Sequence, residues 1–133
     1  MNNILNEFRF AYFTNKYKET CDFYAETLGF KLLFSWDRDG GDKGAVFKAG
    51  GGKVEILQLP GNEEELQNAG IDYRAPQGAF MVIQVNNVDA LYTNYKAKGL
   101  NFKQHLTNQS WGHRSFSITD PNGVVLFMWE GIN

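Results

Sequence analysis

The predicted fold of this chain depends on one stretch, Phe23-Tyr24-Ala25-Glu26-Thr27-Leu28-Gly29-Phe30, in which a helix gives way to a strand. The apolar stripe of that helix consists of Tyr17, Cys21, Tyr24 and Leu28, which recur at helical spacing. Gly29 accepts the left-handed conformation found just beyond helix ends, so we expect the helix to end there. Side chains that alternate from Phe30 to Trp36 then predict a strand.

The same helix exit recurs 70 positions later, at Lys98-Gly99-Leu100-Asn101. Around both exits the residue pattern predicts one order of elements, namely strand, helix, strand, strand, strand. We therefore expect an α+β chain of two βαβββ modules in tandem, about 5–60 and 79–131, joined by a linker at about 61–78 in one domain, 1–133. The alternative is a single α+β domain whose halves are similar by chance.

Composition is that of a globular protein. Of its 133 residues, 43% are hydrophobic and 21% charged, which fits one domain and argues against disorder. A net charge of −2 gives no electrostatic basis for nucleic-acid binding. No apolar run is long enough for a membrane span, and Met1-Asn2-Asn3 does not begin a signal peptide. A single cysteine, Cys21, excludes an internal disulfide and favours the cytoplasm.

Aromatic residues are abundant, at 15% of the chain. Large rings fill protein cores and also line ligand pockets, and composition does not separate these two uses. Strand and helix periodicity assigns one group of rings to the core that faces the helices: Phe8, Phe10, Tyr12, Tyr17, Tyr24, Tyr95 and Phe116.

Three further motifs follow the stretch at 23–30: Val85-Asn86-Asn87-Val88-Asp89-Ala90, Trp111-Gly112-His113-Arg114-Ser115-Phe116 and Asp120-Pro121-Asn122-Gly123. In this order the four motifs resemble the vicinal oxygen chelate superfamily, which holds glyoxalase I, extradiol dioxygenases, and fosfomycin and bleomycin resistance proteins. The resemblance covers nearly the whole chain. It implies paired βαβββ modules with curved mixed sheets, a ligand cavity on their concave faces, and a homodimer.

The resemblance also marks the positions of metal ligands in metal-dependent relatives. Carried onto this chain, the first-strand positions fall at or near Arg9 and Phe80, and the last-strand positions at Glu55 and Phe127. Arginine is a cation and phenylalanine has no donor atom, whereas such a site needs three or four nitrogen or oxygen donors. We therefore expect no metal and no cofactor at these positions.

Two histidines need separate consideration. Neither His105 nor His113 falls at a ligand position of the family. A His113–Glu55 pair is one way to hold a metal elsewhere in the cavity, and a neutral histidine at the pocket wall or surface is the other. No nucleophilic triad and no phosphate-binding loop is recognised, so no catalytic residue is predicted.

Strand alternation, continued from the positions that the resemblance marks, predicts a cavity lined by aromatic rings and a few polar groups. The predicted ligand-binding residues are Arg9, Phe13, Trp36, Phe47, Glu55, Leu57, Phe80, Gln84, Trp111, His113, Ser115, Phe127 and Trp129. The alternative is that these rings fill the cavity. A lone carboxylate among phenylalanines needs a partner, which for Glu55 is either Arg9 or a cationic ligand.

The predicted function is a metal-free binding protein that resembles the bleomycin resistance branch and sequesters an aromatic compound, with Glu55 favouring a cation. One alternative is a metal-dependent lyase or dioxygenase-like enzyme with an unorthodox site. Another is a non-catalytic module whose cavity is filled. The expected partners are a small-molecule ligand and a second copy of the chain, with neither nucleic acid nor membrane.

Overall fold

A computed structural model of the chain describes residues 7–61, 63–68, 70 and 76–132. Three expectations lie outside these residues: the start of module one before residue 7, the character of the segment at Met1–Asn3, and the part of the linker at 71–75. Within the described ranges, no helix is both long enough and apolar enough to cross a bilayer.

Two modules follow each other along the chain, and each has the order strand, helix, strand, strand, strand. Module one consists of β1 (Phe10–Thr14), α1 (Tyr17–Asp22), β2 (Leu32–Asp37), β3 (Lys43–Ala49) and β4 (Gly52–Gln58). A short helix, α2 (Glu63–Asn68), lies between the modules. Module two consists of β5 (Phe80–Gln84), α3 (Val88–Ala97), β6 (Phe102–Asn108), β7 (His113–Thr119) and β8 (Val125–Gly131). The prediction of an α+β fold from tandem modules is confirmed.

Each module forms one four-stranded mixed sheet. Sheet A has the strand order β1-β4-β3-β2, and sheet B has the equivalent order β5-β8-β7-β6. In each sheet the first two strands of this order are parallel and the other pairs are antiparallel. Within the described residues, β1 and β5 are therefore edge strands.

The helix exits that predicted the repeat adopt the same conformation in both modules. Gly29 and Gly99 both have φ of 73°, a left-handed value that costs glycine little. Before Gly29, however, the helix widens, because residues Phe23–Thr27 form a π-helical turn and the Leu28 N–H bonds to the carbonyl of Phe23 at 2.9 Å. The sequence pattern predicted an ordinary helix here, since apolar spacing does not distinguish the two forms.

One hydrophobic core serves both modules. Tyr24 and Leu28 from module one are buried in the same cluster as Tyr95 and Phe116 from module two. The core lies on the helix side of both sheets, so the opposite side of each sheet is left for other contacts.

A buried polar cluster joins the modules on this helix side. The hydroxyls of Tyr12 and Tyr24 both donate to Asp120 Oδ2, and the bond from Tyr24 is 2.8 Å long. Asp120 Oδ1 accepts from the backbone N–H groups of Asn122 and Val124 at 2.8 and 3.0 Å. The turn between β7 and β8 is thereby fixed against module one.

The side chain of Asn122 extends this cluster towards β1 and α1. Its Oδ1 accepts from the Thr14 hydroxyl at 2.6 Å, and its Nδ2 donates to the Thr20 hydroxyl at 2.9 Å. These contacts satisfy polar groups that burial would otherwise make costly.

Two sequence-based assignments of rings are wrong. Phe8 precedes β1 and is 72% exposed, so it does not belong to the core. Phe47 is 1% exposed and packs against Tyr24, with 6.0 Å between ring centroids, so it belongs to the core rather than to the cavity. The cause is the length of one turn: Ala49 pairs with Gly52, so only two glycines form the turn and Phe47 lies opposite Val54.

Candidate functional site

The surface of sheet A that points away from the helices is called face A. Strand pairing places Ala11 and Val46 on either side of Glu55, and Trp36 beside Gly44. The predicted site residues on this surface are Arg9, Phe13, Trp36, Glu55 and Leu57. Face A also carries Phe34, which the sequence analysis did not select; alternation from Trp36 along β2 is the signal that identifies it.

Arg9 is the intramolecular partner of Glu55, as one of the two alternatives predicted. Arg9 Nη1 lies 3.3 Å from Glu55 Oε1, and the Glu55 side chain is 16% exposed. Arg9 Nε also donates to Glu7 Oε1 at 2.5 Å, and Lys53 Nζ donates to Glu7 Oε2. Hydrogen bonds from Lys53 and Arg9 hold the pKa of the Glu7 carboxyl below its usual range. Face A thus carries two cations and two carboxylates in direct contact.

A row of rings and guanidinium groups runs along β2 on face A. The Arg9 guanidinium lies 5.1 Å from the Phe34 ring centroid, and the Phe34 and Trp36 rings stack at 6.0 Å and 29°. Arg38 lies over Trp36 at 5.6 Å from the centroid. Such cation–π and stacking contacts hold the rings in defined orientations.

Trp36 is held in place from beneath by a glycine. A Cβ atom added at Gly44 would lie 2.2 Å from Trp36 Cζ2, so only glycine allows the indole to lie flat on β3. Trp36 Nε1 donates to Asp42 Oδ1 at 2.9 Å, which fixes the orientation of the ring.

The corresponding surface of sheet B is called face B, and it is largely apolar. Val82 pairs with Phe127, and Phe127 pairs with Ser117 on the next strand. The predicted site residues on this surface are Phe80, Gln84, His113, Ser115, Phe127 and Trp129. Phe80 and Val82 are 61% and 56% exposed, so the apolar surface of β5 is open to solvent.

His113 and Trp129 form a close, nearly parallel ring stack on face B. Their rings stack at 3.8 Å and 8°, and the His113 ring also lies 6.5 Å from that of Phe127. Among the described residues, the buried His113 Nδ1 has no hydrogen-bond partner. Trp111, on the turn before β7, is 61% exposed and meets His113 edge-on at 6.3 Å. The His113 ring therefore covers one face of the Trp129 indole.

Other polar groups near face B have their own partners. Gln109 Nε2 donates to the buried Ser115 hydroxyl at 3.0 Å and to Gln104 Oε1 at 2.8 Å. His105 bonds to the Tyr92 hydroxyl at 2.8 Å and stacks on Phe102, so it belongs to the contact between β6 and α3. Gln109 was not selected from the sequence, because its position in a turn gave no strand periodicity.

Metal-binding side chains do not converge in the described part of the chain. No group of three or more His, Cys, Asp or Glu residues there is arranged to hold an ion. At the positions that the resemblance marks for the ligands of metal-dependent relatives, Arg9 is bonded to Glu55, and Phe80 and Phe127 offer only hydrocarbon.

Two cavities adjoin these surfaces. The larger, about 550 Å³, is bordered by Lys53 of face A and by Phe80, Val82 and Gln84 of face B. The smaller, about 190 Å³, lies at the other end of face A beside Phe13 and Leu57. Apart from Phe47 in the core and Trp111 on a turn, the predicted residues are divided between two surfaces, and of these two cavities the larger is bordered by both.

Solved structures with this fold include an antibiotic binding protein and a lactoylglutathione lyase. The chain is similar to TnmS3, an antibiotic binding protein from Streptomyces sp. CB03234, with 20% identity, a TM-score of 0.72, and coverage of 98% of this chain and 99% of that one. It is similar to a glyoxalase/bleomycin resistance protein/dioxygenase from Nocardioides, with 16% identity, a TM-score of 0.75, and coverage of 100% and 87%. It is also similar to a lactoylglutathione lyase from Agrobacterium tumefaciens, with 18% identity, a TM-score of 0.67, and coverage of 92% of this chain and 91% of that one.

At these identities the structural similarities establish the fold alone. The comparison with curated protein sequences gave no match. The family model named Glyoxalase/Bleomycin resistance protein/Dioxygenase superfamily matches residues 8–127, which is most of the chain and extends from before β1 into β8. The chain therefore belongs to the glyoxalase/bleomycin resistance protein/dioxygenase superfamily.

Proposed function

We propose that this protein is a metal-free small-molecule binding protein that sequesters an aromatic compound against faces A and B. The observation that carries this proposal is the open apolar surface of face B, where Phe80 and Val82 are more than half exposed beside the stacked rings of His113 and Trp129. Monomeric proteins seldom leave such a patch uncovered without a binding role. The similarity to an antibiotic binding protein supports the same function.

The residues at the former ligand positions support binding without a metal. The Arg9 guanidinium is a permanent cation beside Glu55, which is the one carboxylate among these positions. The other two positions hold Phe80 and Phe127, which have no donor atoms. The four positions therefore supply one donor group, whereas a catalytic divalent ion needs at least three protein ligands.

A second copy of the chain is part of the proposal. Among the described residues, no hydrogen bond, ion pair or ring contact links face A to face B. A second subunit that packs against face B would cover the exposed side chains of Phe80 and Val82 and leave a ligand groove between the chains. We place this homodimer in the cytoplasm, consistent with the single free cysteine, Cys21.

Analytical ultracentrifugation tests the dimer. The wild type is expected to sediment as a dimer at micromolar concentration. Val82→Lys introduces a charge on face B and is expected to give a folded monomer, whereas Lys103→Glu, an exposed change on β6, should leave the dimer intact. A monomeric wild type would overturn this part of the proposal.

Ligand binding is tested by thermal shift with planar aromatic compounds, supplied as pairs of a cation and its neutral isostere. A ligand that binds only the native state raises Tm. Trp129→Ala should abolish the shift for both members of a pair, and Glu55→Gln should weaken only the cation. No shift across the set would overturn the binding function, and one metal ion per chain in elemental analysis would overturn its metal-free form.

A further inference from the structure

The two modules contact each other at two places that are each formed by a hairpin turn of one module and a strand of the other, and these two contacts differ. The turn between β7 and β8 lies against β1, where Asn122 bonds to Thr14. The turn between β3 and β4 lies against β5, because a Cβ atom added at Gly50 would lie 3.3 Å from Ile83 Cγ2. The repeat therefore creates two equivalent junctions, each formed by one turn and one edge strand.

In the described part of the chain, side chains fill one junction and leave a cavity at the other. At the first, the side chains of Asp120 and Asn122 occupy the space and bond to Tyr12, Tyr24 and Thr14. At the second, the turn consists of Gly50 and Gly51 and continues into Gly52, so the turn supplies no side chain. The space that remains there is the cavity of about 550 Å³.

The walls of this cavity are apolar with one charge. Rings come from Phe8, Phe10 and Phe80, and Met81 adds a thioether. Among the residues that the structure describes, Lys53 is the single charged side chain that lines it. The volume is within the range of about 300–1,000 Å³ typical of small-molecule sites.

Lys53 is available to a ligand at low cost. Its present partner is Glu7, whose side chain is 50% exposed, while that of Lys53 is 33% exposed. Exposed ion pairs contribute little to stability, so an anionic ligand can replace Glu7 without a large penalty. A charge at an apolar wall also selects strongly between ligands of opposite sign.

We propose that the cavity beside the Gly50–Gly51 turn binds an aromatic compound that carries one acidic group, with the ring among Phe8, Phe10 and Phe80 and the acidic group on Lys53. This site goes beyond the proposed function. It shares Phe80 and Val82 with face B, but it lies apart from the stacked rings of His113 and Trp129, and it selects an anion where Glu55 would favour a cation.

The test uses two fluorescent probes of similar shape, the anion anilinonaphthalene sulfonate and the neutral N-phenylnaphthylamine. The structure provides an internal reporter for location, since Met81 lines the cavity and Met128 is 1% exposed in the core. With methyl-labelled methionine, the sulfonate is expected to shift the Met81 methyl resonance in a saturable way and to leave that of Met128 unchanged. Binding without a Met81 shift, or no saturable binding, would overturn the proposal.

Two variants test the walls. Gly51→Trp places a ring at the turn without backbone strain, and Gly61→Trp is its matched control, because both glycines are exposed with open space around a Cβ. Gly51→Trp is expected to weaken the sulfonate at least about tenfold, and Gly61→Trp to leave it unchanged. Equal affinities in the two variants would contradict the site.

The charge is tested by Lys53→Met, which should weaken the sulfonate about tenfold and leave the neutral probe within about twofold. Equal loss of both probes, or no loss, would overturn the assignment of the acidic group. Trp129→Ala separates this site from the proposed function: it removes binding on face B, and the Met81 shift by the sulfonate should persist.

Discussion

Tyr24, at the end of the first helix, donates a 2.8 Å hydrogen bond to Asp120, which lies 96 positions later in the turn between β7 and β8. Both residues are buried, and Tyr12 donates to the same carboxylate oxygen. The stability of one module therefore depends directly on the other, and we expect the chain to unfold as one cooperative unit.

Asp120→Asn tests this dependence. The amide keeps the shape of the carboxylate, but its NH2 group accepts no hydrogen bond, so the hydroxyls of Tyr12 and Tyr24 lose the acceptor oxygen that they share. The free energy of unfolding in urea is expected to fall by about 2–4 kcal/mol. Asp39→Asn, at an exposed turn, is the control and should change it by less than about 0.5 kcal/mol. Equal effects would show that the Asp120 cluster does not stabilise the junction.

Alkaline pH tests the same cluster. Burial, aided by Asp120, raises the pKa of Tyr12 and Tyr24, and burial raises that of Tyr95 to about 12 from an ordinary value of 10.0. The folded state thus retains protons that the unfolded state loses. The contribution of these protons to the free energy of unfolding is complete below pH 10.0, and it declines as the pH rises through the pKa values of the tyrosines in the folded state.

Ultraviolet difference spectra measure this titration. We expect these tyrosines to ionise together with unfolding, so the tyrosinate signal and the loss of far-ultraviolet circular dichroism should coincide. Tyr24→Phe removes one of these ionising groups and should make unfolding less steeply dependent on pH. Ionisation of all tyrosines near pH 10.0 in a protein that is still folded would contradict the buried cluster.

Gly44→Ala tests whether the lack of a side chain at residue 44 is what allows Trp36 to lie on β3. The new methyl group would overlap the indole at 2.2 Å, so the ring must leave its position on β3. We expect a loss of about 1–3 kcal/mol in the free energy of unfolding and a red shift of tryptophan fluorescence. Gly51→Ala, which meets open space, should be close to neutral. In a Trp36→Ala background the penalty of Gly44→Ala should disappear, and a penalty of equal size there would exclude the overlap as its cause.

The stack of His113 on Trp129 is expected to hold the indole ready for an aromatic ligand. His113→Ala removes the stacked ring, and ligand affinity on face B should fall about threefold to tenfold, the range for one aromatic pair. His113→Phe restores a flat ring and should restore affinity. A persistent loss in His113→Phe, measured by calorimetry, would instead assign the effect to the imidazole nitrogens.

Helix exits could be predicted from sequence because glycine adopts the left-handed conformation at little cost, as Gly29 and Gly99 do. The order of helices and strands could be predicted from the spacing of apolar side chains. The Arg9–Glu55 contact was one of two alternatives that the sequence left open, since a carboxylate among apolar side chains needs a partner and both Arg9 and a cationic ligand could supply it. Both inferences use rules that act over a few residues or across one strand pair.

Phe47 shows where sequence reasoning fails. If all three glycines at 50–52 formed the turn, Phe47 would lie opposite Glu55 on face A; because Gly52 pairs with Ala49, it lies opposite Val54 in the core. A change of one residue in turn length reverses the face of every side chain on the strand, and a glycine triplet allows both lengths. The stack of His113 on Trp129 depends in the same way on the register between β7 and β8.

The two sheets repeat one backbone with unlike chemistry, since Glu55 beside Ala11 on face A corresponds to Phe127 beside Val82 on face B. A molecule that spans the two surfaces would therefore contact charged groups on face A and apolar groups on face B. In the reverse orientation, its polar part would lie on the apolar surface and its apolar part on the charged one. Head-to-tail asymmetric compounds should bind in a single direction, and compounds with identical ends should leave one end poorly matched.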